Sequence, residues 1–402
     1  MRLFKTTFFG ALATVLLCST LAAQPAAEVK CGMMVTANLT LASDLHCPGP
    51  LAQGAALLVV ASGVTVDLNG HAISGSVSAA GIVVAGADNV TIHNGELRGF
   101  GVGAMVGTAG PDRAYYTKLT KLRLTGNVVG ALLQGARFGE VSECEASHNS
   151  LYGIVVFDAT DYSTVSHNLV YGNGQGGIVV GCNPRATDPA APASACDGLH
   201  STENTVESNS VIGNGWSPGP ADAGKAGIGI FFGDRNVVRA NLVVDNNTVQ
   251  EGEQLNVTSG ILVGGGADNL IADNQVLNNG RGIQVLHYPS VPVLNAVNTV
   301  VSRNSVLHNA SSGIAVWGEA AVGTAIVDNN AVANGHTEKT GFPEECRSGI
   351  RVQGSGATLM NNRSYDNIGY GFNVEDKEVR AQFGNRAARN GAASQCTGLA
   401  CR

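Results

Sequence analysis

Short apolar alternations punctuate this chain, and each opens on glycine. Gly153-Ile154-Val155-Val156, Gly177-Ile178-Val179-Val180, Gly260-Ile261-Leu262-Val263, Gly313-Ile314-Ala315-Val316 and Gly371-Phe372-Asn373-Val374 set branched or aromatic residues two apart. Period-2 patterning in segments this short predicts β-strands rather than helices. A pair of asparagines five apart accompanies them, as Asn168/Asn173, Asn209/Asn214, Asn241/Asn246, Asn274/Asn279, Asn304/Asn309, Asn329/Asn334, Asn362/Asn367 and Asn385/Asn390. Upstream, Asn94/Gly99, Leu122/Asn127 and Cys144/Asn149 hold the same two positions.

Uninterrupted repeats run 22 to 24 residues, as from Gly349 to Gly371 and from Gly153 to Gly177. A unit of that length cannot bury its own apolar face, so neighbouring units must stack to do it. The expected architecture is all-β: a single-stranded parallel β-helix of about eleven or twelve coils, each adding ~4.8 Å to a rod. The asparagines are then scaffold, stacked in side-chain ladders at equivalent turns.

Composition agrees, with 53 glycines and only 14% charged residues. Residues 1–23 join Arg2 and Lys5 to an apolar run ending in Leu21-Ala22-Ala23, the form of a secretory signal. The mature chain, 24–402, is expected to be secreted or periplasmic, with caps at 24–50 and 391–402. Without Arg2 and Lys5 the balance is 22 basic against 31 acidic residues. That acidity, with no basic run, argues against nucleic acid as a partner. No later stretch has the ~20 apolar residues of a membrane span, and a soluble monomer is expected.

Eight cysteines follow the signal in a compartment that permits disulfides. Cys31 with Cys47 would staple the N-terminal cap, Cys182 with Cys196 would close an insertion, and Cys396 and Cys401 fall in the C-terminal cap. Cys144 occupies a ladder position as a buried thiol. Cys346 is either free or paired with Cys396 or Cys401.

The segment Val64-Thr65-Val66-Asp67-Leu68-Asn69-Gly70-His71, followed by Asn89-Val90-Thr91-Ile92-His93-Asn94-Gly95, resembles the opening coils of the pectate-lyase-like superfamily of secreted right-handed parallel β-helix proteins. The resemblance implies a right-handed coil. It also implies a choice of functions, since that superfamily includes pectin and alginate lyases, alginate epimerases, glycosidases, periplasmic proteins and adhesins. Tyr152-Gly153 with Asp158-Ala159-Thr160-Asp161 partly resembles the alginate-epimerase signature. Ala159 and Thr160 stand where Pro and the catalytic His would be, so the match does not carry epimerase chemistry to these positions. Asp158 and Asp161 are left as candidates for Ca²⁺ or for capping a turn, and no other cofactor is implied.

A solenoid repeats its core and varies its surface, so function is sought where repeats are interrupted. Insertions flank the glycine-led strand, at 215–226, 247–259 and 335–348 before it and at 107–118, 182–200 and 287–298 after it. The outward residues of that strand would floor a groove suited to polysaccharide, with aromatics for sugar faces and polar groups for hydroxyls and carboxylates. Phe231, Asp234, Arg235, Gln284, Trp317, Glu375 and Lys377 are the expected binding residues. Lyase or epimerase chemistry on a uronate needs a base, an acid and a cation for the carboxylate. His287 and Tyr288 can transfer protons, and Arg351 can clamp the carboxylate. Asp234 with Glu319 can instead support hydrolysis, depending on their separation. The competing reading is a non-catalytic glycan- or protein-binding surface. No Met/His/Cys cluster supports metal-site assembly.

Overall fold

In the computed structural model, described for residues 29–51, 53–107, 113–182, 196, 198–216, 225–246, 258–286, 295–318, 321–336, 344–376, 378–381 and 383–402, the glycine-led segments stack into one parallel sheet of fourteen strands. The sheet runs from Met33–Val35 and Ala55–Val59 through Ser259–Gly264, Arg281–Leu286 and Ile314–Trp317 to Phe372–Val374 and Cys396–Thr397. The first and last strands come from the segments expected to be caps, which carries the stack two strands beyond a twelve-coil count. The signal segment lies outside the described residues, and so do most residues of the insertions. Among the described residues, no helix is long and apolar enough to cross a membrane.

Strict register puts like residues in columns. Ile154, Ile178, Ile228, Ile261, Ile283, Ile314, Ile350 and Phe372 are successive partners across the sheet, and all are fully buried inside the coil. Two further stacks close each turn, represented by Glu140–Ser142, Thr164–Ser166 and Thr205–Glu207 on one face and by Glu145–Ser147, Leu169–Tyr171 and Ser210–Ile212 on the other. In early coils the single strands Thr91–Arg98 and Lys118–Thr125 run through both faces. The glycine that opens each strand is required by close approach. A Cβ on Gly227 would meet the Asn246 amide, the Gly260 carbonyl and Val243, each at 2.8 Å.

The asparagines form continuous ladders in the coil wall. Asn168 Nδ2 donates to Asn209 Oδ1 at 2.9 Å, Asn209 to Asn241 and Asn241 to Asn274, each at 3.0 Å. The same Oδ1 of Asn241 also accepts the Asn209 backbone N–H, and Asn241 Nδ2 donates to the Val206 and Arg239 carbonyls. Each buried amide thereby satisfies its own polar atoms and its neighbour's backbone. A second ladder runs from Asn149 through Asn173, Asn214, Asn246, Asn279, Asn309, Asn334 and Asn367 to Asn390. Gln395 ends it, accepting Asn390 Nδ2 at 2.8 Å and donating to the Asn390 carbonyl at 3.1 Å. A third, shorter ladder of Asn204, Asn236 and Asn269 was not anticipated.

Ladder asparagines do not themselves occupy the left-handed backbone region. The residue before them does, as at His167 (φ 57°), Ala240 (φ 54°), Asp273 (φ 58°) and Arg303 (φ 53°). Left-handed φ costs a residue with a Cβ roughly 1–2 kcal/mol, and the adjoining ladder bonds hold the chain there.

Cys31–Cys47, Cys182–Cys196 and Cys396–Cys401 are disulfides. Cys144 is a buried free thiol and Cys346 is buried outside these disulfides; the bond between Cys396 and Cys401 removes the alternative pairing of Cys346 with either of them. Burial pushes the Cys144 thiol up to about 12, so it is a structural group.

Replacing Asn241 by Ala strands both the backbone and side-chain N–H donors of Asn209 inside the wall. Each orphaned donor costs about 1–3 kcal/mol. Asn241→Ala should lower the urea midpoint accordingly, whereas an unchanged midpoint would show that the ladder contributes nothing to stability.

Candidate functional site

Outward residues of the fourteen-stranded sheet also fall in columns, which gives the expected floor a definite layout. One column reads Val155, Val179, Gly229, Leu262, Gln284, Ala315, Arg351, Asn373. The next reads Phe157, Gly181, Phe231, Gly264, Leu286, Trp317. Both columns change character along the rod. The apolar members belong to a second buried cluster outside the coil, in which Tyr152, Val155, Val179 and Leu262 pack with Phe231, Phe232 and the Cys182–Cys196 disulfide. Phe231 is only 3% exposed and Phe232 4%. The expectation of Phe231 as an open platform for a sugar ring is therefore corrected: its ring serves packing. Burial likewise raises the Tyr152 hydroxyl to about 12.

Polar chemistry gathers on the next four coils. Trp317, half-buried, lies between two guanidinium groups, with Arg351 Cζ 4.9 Å and Arg281 Cζ 5.4 Å from its ring centroid. Cations held over a ring face in this way are attracted by its quadrupole. Arg281 Nη1 donates to Gln284 Oε1 at 3.3 Å, and Ser259 Oγ donates to the same oxygen at 2.6 Å. Gln284 is buried and committed to these partners. The Trp317 indole N–H is buried with no acceptor among the described residues.

Arg351 is 6% exposed. Its Nε and Nη2 donate to Glu375 Oε1 at 3.3 and 3.1 Å, and its Nη1 donates to Cys346 Sγ at 2.7 Å. Glu375 also accepts from Asn373 Nδ2 at 3.1 Å and from Gln353 Nε2. The Glu375 side chain is 41% exposed, so the carboxylate, rather than the guanidinium, is the face this pair turns to solvent. Expected as a free carboxylate clamp, Arg351 is instead closed by a protein carboxylate and a thiol.

The remaining candidates separate from this cluster. Asp234 accepts from His200 Nδ1 at 3.0 Å and from the Ala267 N–H at 2.8 Å, which makes it a turn-fixing residue. Arg235 pairs with Glu203 at 2.9 Å on the outer corner. Asp158 accepts from Gln134, and Asp161 accepts from Arg113 and Thr202. No group of three metal-ligating side chains occurs among the described residues, and the bonds of these two aspartates run to other coils. His287, Tyr288, Glu319 and Lys377 lie outside the described residues, although His287 directly follows Leu286, whose partner in register is Trp317.

Arg281 was missed by sequence reasoning. Its signal is positional: it is the one charged residue standing immediately before a repeat glycine, where other coils have Val129, Tyr152, Gly176, Ala226, Ser259, Ser312, Ser348 and Tyr370.

A family model described as the right-handed beta helix region matches residues 55–253 and 193–342. The chain belongs to this right-handed β-helix family. Solved structures that share its fold include the following two. The A-module of mannuronan C-5 epimerase AlgE4 from Azotobacter vinelandii is 13% identical with a TM-score of 0.57, over 90% of this chain and 91% of that one. The Dettilon tailspike protein is 17% identical with a TM-score of 0.55, over 90% of this chain, which spans 60% of the tailspike. At these identities the likeness establishes the fold alone.

Burial raises the pKa of Asp234, but the bonds from His200 and Ala267 outweigh it and hold the carboxyl below its ordinary 3.8. A carboxylate depressed by folding adds stability above its unfolded pKa and loses it as pH falls through the folded value. The parent should therefore lose more stability than Asp234→Asn between about pH 5 and pH 2. Parallel urea midpoints for the two proteins across that range would refute the assignment.

Proposed function

We propose that this protein engages a uronate-containing polysaccharide along the floor of its glycine-led sheet, and acts on it as a lyase or epimerase in a secreted or periplasmic setting. The observation that carries this reading is the Arg281–Trp317–Arg351 stack beside the half-exposed Glu375, spread over consecutive coils. A ring face with cations beside it suits a sugar chain bearing carboxylates. Coil spacing of ~4.8 Å lets a linear polymer meet successive coils. The three disulfides fit an oxidising compartment. Both solved neighbours lend support through the fold, one being a mannuronan epimerase.

In this reading one of His287 and Tyr288 removes the proton alpha to the uronate carboxylate, and the other delivers a proton, to C5 from the opposite face in epimerisation or to the departing glycosidic oxygen as its bond to C4 breaks in elimination. Developing charge on the carboxylate is stabilised by Arg281 beside the Trp317 ring. A second reading has its own observation. Arg351 and Gln284 are already buried and bonded to protein groups, an arrangement that serves retention of a glycan without turnover.

Incubation of the mature protein with uronate polysaccharides separates the two. Lyase action gives an unsaturated product absorbing in the ultraviolet, and epimerase action inverts C5, read by proton NMR. Neither signal with any substrate would leave only the binding reading. Trp317→Ala and Arg351→Ala should each weaken glycan retention at least ~10-fold while circular dichroism stays that of the parent, an effect the size of one lost aromatic or charged contact. Retention equal to the parent's in both variants would remove the floor as the binding surface.

A further inference from the structure

Stacked coils hold outward side chains ~4.8 Å apart, so like charges in register repel and opposite charges attract. This chain generally follows that rule. Arg239 meets Glu207 at 2.6 Å, Arg235 meets Glu203 at 2.9 Å, Arg303 meets Asp273 at 2.8 Å and Arg389 meets Asp366 at 2.7 Å, each pair on neighbouring coils. Arg363 and Arg386 break it. They are partners in register at the start of strands Arg363–Tyr365 and Arg386–Ala388. Both are exposed, and neither side chain makes an ion pair or hydrogen bond among the described residues.

The two arginines line a depression of about 460 Å³ with Asp328, Asn330, Asn361 and Gly384. Its shape depends on the glycine. Gly384 has φ +88°, and a Cβ there would lie 2.0 Å from Asn361 Oδ1, so any other residue would displace that amide. Beside it Phe383, whose carbonyl accepts the Asn361 N–H at 3.1 Å, is 92% exposed, the most exposed large apolar side chain described. Unpaired cations, amides and the Asp328 carboxylate therefore meet at one concavity, with a bare ring next to Gly384 in the chain. It lies on a different sheet from the Trp317 floor.

We propose that this depression is a saccharide subsite for an acidic sugar. Arg363 and Arg386 would take the carboxylate, for which a guanidinium fork is the matching donor. Asn330, Asn361 and Asp328 would take hydroxyls, and Phe383 would cover a pyranose face. Bound carboxylate also supplies the counter-charge that the arginine pair lacks. The choice of ligand rests on the polysaccharide reading above, but the site is separate from the floor.

Calorimetric titration of the mature protein with a uronate tetrasaccharide tests this. In a Trp317→Ala background, which disables the floor, binding should persist. Adding Arg363→Gln and Arg386→Gln should weaken it at least ~10-fold, and adding Phe383→Ala alone should weaken it ~3-fold or more. The melting temperature should hold or rise in the double arginine variant, since a like-charge contact is removed. Persistent binding that is indifferent to Arg363→Gln/Arg386→Gln overturns the proposal. A neutral glucan tetrasaccharide binding equally well, or inorganic phosphate displacing the uronate at equal concentration, overturns the acidic-sugar assignment. Should Trp317→Ala leave the parent's titration unaltered while the arginine variant abolishes it, the floor reading fails and this one stands.

Discussion

An amide buried in the wall of a coil must find a partner, and here that partner is the same amide one coil away. Everything else in the structure is indexed to this requirement. Asn241 accepts both donors of Asn209 and passes its own side-chain donor to Asn274, so a slip of one residue in any coil would orphan several polar groups at once. Register enforced in the turns is inherited by the sheet, where Ile228, Ile261 and Ile283 fall in one column. The same alignment makes a functional surface possible, because outward side chains such as Gln284 and Arg351 are held at fixed spacing by strands they do not stabilise.

Along the outer face of the main sheet, composition divides the rod. Val155, Val179, Leu262 and Phe231 seal the middle coils with apolar packing, and charge begins only at Arg281. A guanidinium beside a carboxylate and an indole is a preorganised polar surface in a low-dielectric setting, where its interactions are stronger than in water. Yet preorganisation also commits it. Arg351 faces Glu375 and Cys346, so what the pair turns to solvent is its carboxylate edge.

The fold was legible because its determinants recur. One strand pattern and one asparagine spacing, repeated down the chain, specify register without reference to any distant contact. The third ladder escaped notice because Asn204, Asn236 and Asn269 number only three, with Thr299 and Thr324 at the corresponding turns of the next coils. Site residues were legible only as positions. Sequence placed Trp317, Arg351, Gln284 and Glu375 on one face, and the structure does bring them together. Sequence could not tell which side chains would be consumed by neighbours: alternation marks Phe231 as outward, but whether outward means solvent depends on what covers the coil. Arg363 and Arg386 went unremarked for the opposite reason, since they interrupt no repeat and their interest lies in what is missing between them.

The second ladder has a direction. Every side-chain amide donates toward the C-terminus, so a stack cut at any coil would end in donors seeking an acceptor, a sticky end able to recruit another chain. Gln395 bends back onto Asn390 and supplies that acceptor from within the same molecule. One extra methylene lets a glutamine five residues on do what the next coil would have done. The last donors of this ladder are thereby satisfied within their own chain, by a single side chain.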